Sequence, residues 1–174
     1  AGLEKLIAFD MGGTSTDVSR FDGDYNYCQT HRVGRAHLMA PALKIETVAA
    51  GGGSICGHDG DLLLVGPQSA GADPGPACYG TGGPLTITDV NLLLGRLDLD
   101  SFNLPVFPEA AEARFKEVHS KHGGTREEVL LGFLALANDR MASAIRKISV
   151  REGYDPADHA LVAFGGAGGQ HACA

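Results

Sequence analysis

The chain has 174 residues, 44% of them hydrophobic and 20% charged, with a formal net charge of −7. This composition predicts a single domain with a substantial core, and the acidic balance without a Lys/Arg stripe argues against a nucleic-acid-binding surface. The apolar runs fall far short of the about 20 residues that cross a membrane, and the first residues lack the basic end and apolar core of a signal peptide.

The first part of the chain is predicted to be β-structure. Apolar and alternating patterns predict three strands, at residues 4–9, 15–22 and 24–33. The strand pattern then ends at Gly51-Gly52-Gly53-Ser54, which predicts a turn or loop. Residues 54–56 and 62–65 flank a turn-type sequence and predict a second hairpin.

Residues 66–84, GPQSAGADPGPACYGTGGP, predict a long loop. A loop of this length without regular structure is uncommon in a compact domain and is usually functional or disordered. We favour a function because the prolines restrict its conformations. Within it, Asp73 is either a ligand or part of a plain Asp-Pro-Gly turn.

The region from about residue 86 to residue 152 is predicted to be helical. Thr88 or Asp89 can cap a short helix over Val90–Leu94, which Gly95 closes. A second helix is predicted from Pro108 to His122. A capping box at Thr125 opens a third helix that runs to about Glu152.

The last part of the chain predicts a buried strand at residues 160–164, followed by the glycine turn 165–169. Strands, then helices, then a strand that feeds a turn are typical of an α/β layer fold. The chain stops where a helix is expected to start, so we expect it to be a piece of a longer polypeptide.

The stretch between the first two strands, Asp10-Met11-Gly12-Gly13-Thr14-Ser15-Thr16-Asp17, is unusually small and polar. Two glycines at a hairpin tip let backbone N–H groups point one way, which suits a phosphate. Hydroxyls can add donors, and Asp10 can hold a hydrated magnesium ion. The alternative is an ordinary hairpin with a Gly-Gly turn. The strand-to-helix P-loop is excluded because no Gly-x-x-x-x-Gly-Lys-Ser/Thr occurs.

The second glycine turn, Gly165-Gly166-Ala167-Gly168-Gly169, has a different interpretation. A slim backbone after a buried strand can accept a flat adenine–ribose unit, and a helix start favours a phosphate. A tight strand–helix joint without a ligand is the alternative. His171 can reach such a cleft or pack locally, and both remain open.

The cysteines and the remaining histidines have simpler interpretations. The four cysteines form no Cys-x-x-Cys pair, which predicts free thiols in a reduced, cytoplasmic setting. Cys78 and Cys173 are predicted to be buried small hydrophobic residues rather than nucleophiles. Asp89 is favoured as a helix cap over an acid or base, and the other histidines are assigned to solvated turns and helix faces.

Several of these stretches, in this order, resemble the hydantoinase A / 5-oxoprolinase family, to which acetone carboxylase subunits are related. The resemblance covers nearly the whole chain and rests on Asp10–Val18, Ala49–Ile55, Val65–Tyr79, Thr88–Leu97 and Phe164–Ala172. It implies the actin/sugar-kinase/Hsp70-type fold, in which two ribonuclease-H-like lobes clamp ATP. Residues 1–174 then form the second lobe, a single α/β domain with a mixed sheet flanked by helices, truncated and without the first lobe.

The resemblance also implies ATP and Mg²⁺ as cofactors and assigns roles to the residues singled out above. In this assignment Gly12, Gly13, Thr14 and Thr16 bind phosphate oxygens, and Asp10 binds the metal. The adenosine lies against Gly165, Gly166, Gly168 and Gly169. Asp17 and His171 are the candidate catalytic residues, Asp17 as a second metal contact or as the residue that orients a water.

Three functions follow from the resemblance and stay open. The first is an ATP-dependent cyclic amide hydrolase that opens 5-oxoproline or an N-methylhydantoin, with a hydantoinase B-type subunit or domain as partner. The second is an acetone-carboxylase-type subunit, and the third is a non-catalytic nucleotide-binding module. The isolated chain is predicted to be inactive, and a homo-oligomer is left open.

Overall fold

The computed structural model describes residues 2–102 and 104–173, with no description of the side chains of residues 31–33 and 101. Its strands are β1 Lys5–Met11, β2 Thr16–Asp22, β3 Tyr27–Cys28, β4 His31–Val33, β5 Ala36–Leu38, β6 Ala42–Leu43, β7 Glu46–Val48, β8 Ser54–Asp59, β9 Leu62–Ser69 and β10 Ala160–Phe164. Its α-helices are α1 Ile87–Leu93, α2 Pro108–His122 and α3 Arg126–Ile148. Short 3₁₀ turns cover Ala77–Tyr79, Leu99–Ser101, Val150–Glu152, Pro156–Asp158 and Gly168–Gln170.

The central sheet is mixed, with the strand order β10-β1-β2-β7. In chain order the first three strands of this sheet are β1, β2 and β7, which pair antiparallel, and β10 returns parallel to β1. Ile7, Phe9 and Met11 alternate along β1 and are buried, as the period of two in the sequence requires. The positions of the predicted strands at residues 4–9, 15–22 and 160–164 are therefore confirmed with small shifts of the first two, whereas the predicted burial of residues 160–164 is wrong.

Helix α3 packs its apolar side against the buried face of this sheet. Val129, Phe133, Met141 and Ile148 belong to the same core cluster as Ile7 and the rest of the buried face of β1. The predicted capping box is present, since Glu128 N donates to Thr125 Oγ1 at 3.3 Å and Thr125 N donates to Glu128 Oε2 at 2.9 Å.

Helix α3 ends at Ile148, before the predicted end near Glu152. Arg20 from β2 donates through Nε to the carbonyl of Ile148 at 3.2 Å, and its guanidinium lies 3.4 Å from the centre of the Tyr154 ring. A helix end leaves carbonyls without partners, and Arg20 satisfies one of them. The chain then makes the 3₁₀ turn and reverses at Gly153, where φ is +85°.

Three sequence predictions about local structure are wrong. Residues 24–33 do not form one strand, because β3 pairs with β6 and β4 pairs with β5 in separate two-stranded ribbons. Tyr25 and Tyr27 are 58% and 54% exposed, so their alternation does not mark a buried face. Helix α1 starts at Ile87 with Thr86 as its N-cap, rather than at Thr88 or Asp89. Strand β10 is not buried: in the described residues it lies at the edge of the central sheet, and its Leu161 is 43% exposed.

The opposite face of the sheet is open in the described part of the chain. The register places Val162 beside Ala8 and Phe164 beside Asp10, and the side chains of Val162 and Phe164 are 38% and 48% exposed. In the residues that the structure describes, no helix has both the length and the apolar character needed to cross a bilayer.

Candidate functional site

The connection between β1 and β2 forms a narrow tip at residues 12–15. Gly12 N donates to Ser15 O at 3.0 Å and closes the turn. Gly13 and Thr14 are exposed, and a Cβ added at Gly13 would meet nothing within 4 Å. Packing within the described chain therefore does not require glycine at position 13, whereas a ligand that approaches the backbone would.

The carbonyls of this tip are held from one side by the segment Gly51–Gly53. Gly52 N donates to Gly12 O at 3.1 Å, and Gly53 N donates to Gly13 O at 2.6 Å. A Cβ at Gly51 would lie 2.6 Å from Gly13 O, so this approach requires glycine. With its carbonyls bonded inward, the tip is left with the N–H groups of Gly13 and Thr14 as free donors among the described contacts.

Thr16 does not belong to the exposed part of the tip. Its side chain is fully buried, and its hydroxyl donates to Ala50 O at 2.6 Å. The predicted contact between Thr16 and a phosphate would require that bond to break. Thr16 instead anchors the start of β2 to the chain that enters Gly51–Gly53, while Thr14 keeps its hydroxyl on the exposed tip.

Two carboxylates lie side by side next to the tip. Asp10 and Asp17 are paired residues of β1 and β2, so both stand on the open face of the sheet. Asp10 is exposed, and Asp17 is half-buried and accepts a hydrogen bond from Thr47 Oγ1 at 2.6 Å. A cation bound through water beside the tip would face both carboxylates.

The glycine turn after β10 lies against the other side of the hairpin. Gly165 has φ +85°, and a Cβ there would come within 2.4 Å of Asp10 Oδ1 and 2.5 Å of Met11 O. Ala167 N donates to Met11 O at 2.9 Å. At Gly166 and Gly169, in contrast, an added Cβ would meet nothing within 4 Å. The structure thus brings the two predicted glycine motifs together at Asp10.

His171 lies in a buried polar network instead of facing the tip. Its Nδ1 lies 2.8 Å from Asn138 Oδ1, and its Nε2 lies 3.1 Å from Asn91 Nδ2. The amide oxygen of Asn138 can only accept, so Nδ1 carries the proton and Nε2 accepts from Asn91. Burial, and secondarily the positive charge of Arg96, lower the pKa of His171 to about 4.

The neutral His171 has both ring nitrogens engaged, so it joins α1, α3 and the end of the glycine turn. This geometry leaves no ring nitrogen to act as an acid or base. Asn91 is itself fully buried, and its Oδ1 has no partner among the described residues.

The long loop after β9 is held by the buried carboxylate of Asp89, a residue that the sequence predicts mainly as a helix cap. Asp89 accepts from the backbone N–H groups of Ala77, Cys78 and Thr86 at 3.1, 2.8 and 2.8 Å, and from Thr86 Oγ1 at 2.9 Å. It is the third residue of the capping box of α1 and is fully buried. The spacing Thr86-x-x-Asp89 was the signal that could have found it.

The cysteines near this carboxylate are not poised for nucleophilic chemistry. Burial, and then the negative charge of Asp89, raise the pKa of the Cys56 and Cys78 thiols well above the usual range. A thiol held in its neutral form is a poor nucleophile. Cys78 is buried as predicted, but Cys173 is exposed, so the prediction for Cys173 is wrong.

The sequence model of the family described as Hydantoinase/oxoprolinase matches residues 1–174. The chain is 51% identical to 5-oxoprolinase PfmaA of Pestalotiopsis fici over 97% of its own length, which is 14% of the length of that protein. The chain thus spans about a seventh of the length of this relative.

Two solved structures share this architecture. The ATP-dependent caprolactamase from Pseudomonas jessenii superimposes with a TM-score of 0.89 at 39% identity, over 99% of this chain and 26% of that one. A nucleotide-free acetone carboxylase, from work on ATP-dependent acetone carboxylation, gives a TM-score of 0.85 at 27% identity, over 98% of this chain and 25% of that one.

Proposed function

The chain belongs to the Hydantoinase/oxoprolinase family, and from that premise we propose that it is the phosphate-binding part of an ATP-dependent enzyme that opens cyclic amides. The relatives named above are a 5-oxoprolinase and an ATP-dependent caprolactamase, and both names describe the opening of a lactam ring. The chain covers only a fraction of each relative, so the activity belongs to the full-length protein.

The observation that carries this proposal is the open hairpin tip. Its carbonyls are bonded to Gly52 and Gly53, its amides at Gly13 and Thr14 are free within the described chain, and Asp10 and Asp17 stand beside it. Outward amides with a carboxylate-held cation suit a polyphosphate. Glycines at positions 166 and 169, which packing does not require, suit a flat group that lies against the backbone.

The sheet order supports a more specific fold. Three antiparallel strands followed by a strand parallel to the first, in the order β10-β1-β2-β7, agree with a ribonuclease-H-like lobe that carries its phosphate hairpin between β1 and β2. We place this chain as the second such lobe of an actin/sugar-kinase-type clamp. A first lobe, a hydantoinase B-type partner and a cytoplasmic setting belong to the same proposal.

The chemistry proposed is phosphoryl transfer followed by hydrolysis. The amide oxygen attacks the γ-phosphorus of ATP and ADP leaves, which makes the ring carbon a better electrophile. Water then adds to that carbon, and the ring C–N bond breaks as the nitrogen takes up a proton, which leaves an acyl phosphate. A second water hydrolyses the acyl phosphate to the carboxylate and inorganic phosphate. Catalysis of phosphoryl transfer consists mainly of positioning and charge stabilisation, and this chain supplies the amides of Gly13 and Thr14 and the hydroxyl of Thr14.

The carboxylates near the tip fit magnesium held through water. Magnesium is usually held by one or two carboxylates, retained waters and substrate phosphates. Among the described residues there is no cluster of three or more His, Cys, Asp or Glu side chains that would form a complete protein-ligated site. Asp10, whose Oδ1 lies at the Gly165 turn, and the adjacent Asp17 are the residues that would hold such an ion, and the ion would supply charge neutralisation for the phosphates.

A carboxylase function is the second candidate. The fold agreement with acetone carboxylase, at a TM-score of 0.85, favours it as the alternative. In that case the same hairpin would serve ATP-dependent activation of bicarbonate and a ketone.

The test is nucleotide titration and product analysis on the full-length protein. Calorimetry with Mg·ADP is compared for the wild type, Asp10→Asn, Thr14→Ala and the matched control Thr30→Ala, whose threonine is exposed and away from the tip. We expect both tip variants to weaken binding about tenfold, the loss of one charge-assisted contact, and the control to bind normally. Ring opening of 5-oxoproline, hydantoin or caprolactam with ATP supports the hydrolase, whereas carboxylation of acetone supports the alternative. Nucleotide binding without either reaction supports a non-catalytic module.

A further inference from the structure

A cleft of about 340 Å³ opens beside the hairpin tip, on the side of the long loop. We call it the acceptor cleft, and it is lined by Gly13, Thr14, Ala72, Pro76, Tyr79 and Thr88, together with Gly53 and Gly71. We propose that the acceptor cleft holds the ring of the cyclic amide while the nucleotide lies on the other side of the tip. This inference rests on the proposed function.

The position of the acceptor cleft relative to the tip is the first argument. Gly13 and Thr14 belong both to the cleft wall and to the tip amides that suit a phosphate. The glycine turn at residues 165–169 contacts the hairpin at Asp10 and Met11, and none of its residues lines the cleft. A phosphate chain that runs from that turn to the tip would therefore present its terminal phosphorus to the cleft.

The chemistry of the wall is the second argument. None of the residues that line the acceptor cleft carries a charge. A polyphosphate is bound by cations and by rows of N–H groups, whereas a lactam ring needs apolar contact and one or two hydrogen bonds. Ala72 and Pro76 supply the apolar contact. The hydroxyls of Thr14 and Tyr79 are the groups that can face an amide, because the Thr88 hydroxyl already donates to Gly52 O at 2.9 Å.

The rigidity of the wall is the third argument. Asp89 binds the N–H groups of Ala77 and Cys78, which fixes the turn that carries Tyr79. The Tyr79 ring lies against Gly75, where an added Cβ would come within 3.1 Å of Cδ2. The wall is thus formed before a ligand arrives, and a preformed wall discriminates between rings by size.

Two larger clefts do not meet these conditions. A cleft of about 390 Å³ is lined by Arg114, Glu117 and Cys56, and one of about 590 Å³ is lined by Arg126, Glu127 and Leu130. Neither contains a residue of the hairpin tip. Among these clefts of the described residues, the acceptor cleft joins a neutral wall to the phosphate-binding groups.

The inference is tested by narrowing the cleft in the full-length protein. Ala72 is exposed, so Ala72→Leu adds bulk to the wall without disturbing the core. The control is Ala113→Leu, an equal change at an exposed position of α2. Steady-state KM values are measured for ATP and for 5-oxoproline, hydantoin and caprolactam. Tyr79→Phe is measured in parallel because it removes one hydroxyl and keeps the ring.

We expect Ala72→Leu to raise the KM for the cyclic amide at least tenfold, to leave the KM for ATP within twofold, and to affect the largest ring most. Ala113→Leu should change neither value. An unchanged amide KM together with a raised ATP KM would place the nucleotide in the cleft and overturn the inference, while the proposed function would stand. A wild-type protein that opens none of the three rings would overturn both.

Discussion

Two glycine segments flank the hairpin tip, and they look alike in sequence but differ in the structure. In Gly51–Gly53 a Cβ on either end residue would collide with the backbone of Gly13, at 2.6 and 2.9 Å. In the turn at residues 165–169 only Gly165 has such a conflict, while Gly166 and Gly169 border open space. The end residues of the first segment must be glycine because the backbone of Gly13 packs against them. In the second segment, packing requires glycine only at Gly165.

This difference separates two reasons for which glycine is used. A packed glycine is part of the folded structure, so its replacement should lower stability first and binding as a consequence. An open glycine leaves room for something outside the chain, so its replacement should change binding alone. Four experiments sharpen or break this distinction.

Gly51→Ala should have the largest effect. The new methyl group would push against Gly13 O, Gly13 C and Gly12 O, at 2.6, 2.7 and 2.8 Å. We expect the free energy of unfolding to fall by about 3 kcal/mol, the upper end of the cost of overpacking, as measured by chemical denaturation of the chain. The matched control is Gly57→Ala on β8, where nothing lies within 4 Å. Equal stability of the two variants would contradict the assignment of Gly51 as a packed glycine.

The pH dependence of the free energy of unfolding tests the burial of His171, which follows the glycine turn at residues 165–169. The pKa of His171 is lowered from 6.5 to about 4 in the folded chain, mainly by burial. The unfolded chain thus binds the proton more tightly, so the stability that His171 contributes is present above pH 6.5 and is lost as the pH falls toward 4. Allowing for partial solvation, we expect a loss of about 2 kcal/mol across that window.

The control for this prediction is His171→Gln, which does not titrate. Its free energy of unfolding should be lower at pH 7 but should depend less on pH between 6.5 and 4. The same slope in both proteins would show that other groups control the acid response.

Thr16→Val and Thr14→Val should have opposite effects: the first should lower mainly stability, and the second mainly nucleotide affinity. Removing the Thr16 hydroxyl leaves the buried carbonyl of Ala50 without its donor, so we expect a loss of about 1–2 kcal/mol of stability. Thr14 is exposed, so Thr14→Val should change stability by less than about 0.5 kcal/mol. Calorimetry should show the reverse order for Mg·ADP affinity in the full-length protein, once the Thr16 variant is measured well below its unfolding temperature.

Gly166→Ala and Gly169→Ala should have the smallest effect on stability. Neither methyl group would meet the chain, so the free energy of unfolding should stay within about 0.5 kcal/mol. We expect nucleotide affinity to fall about tenfold if the adenosine lies on this surface. Unchanged affinity in both variants would remove the adenosine from the turn and leave only the hairpin in the proposal.

The sequence predicted the elements whose causes are local. The bounds of α2 and the capping box of α3 follow from residues within one or two helical turns, and both are confirmed. The inward position of Thr16 was also readable, because Thr16, Val18 and Arg20 alternate on the buried face of β2. Thr16 was assigned to a phosphate contact instead, because it is one of three consecutive hydroxyl residues.

What the sequence did not predict depends on contacts between distant residues. Gly13 and Gly53 are far apart in the chain, and no local pattern indicates that the N–H of Gly53 meets the carbonyl of Gly13. The alternation of Tyr25 and Tyr27 predicts one strand at residues 24–33, but both side chains are exposed and face no core. Tertiary context decides such cases.

The backbone clamp on the hairpin also bears on the entropy of binding. Ala167 N holds Met11 O from one side, and Gly52 N and Gly53 N hold Gly12 O and Gly13 O from the other. A glycine-rich loop in solution loses more conformational freedom on ordering than any other sequence. Here that loss accompanies folding and precedes the ligand. An anion that reaches the tip therefore meets donors that are already aligned, and its association should slow amide hydrogen exchange at Gly13 and Thr14 without ordering the rest of the chain.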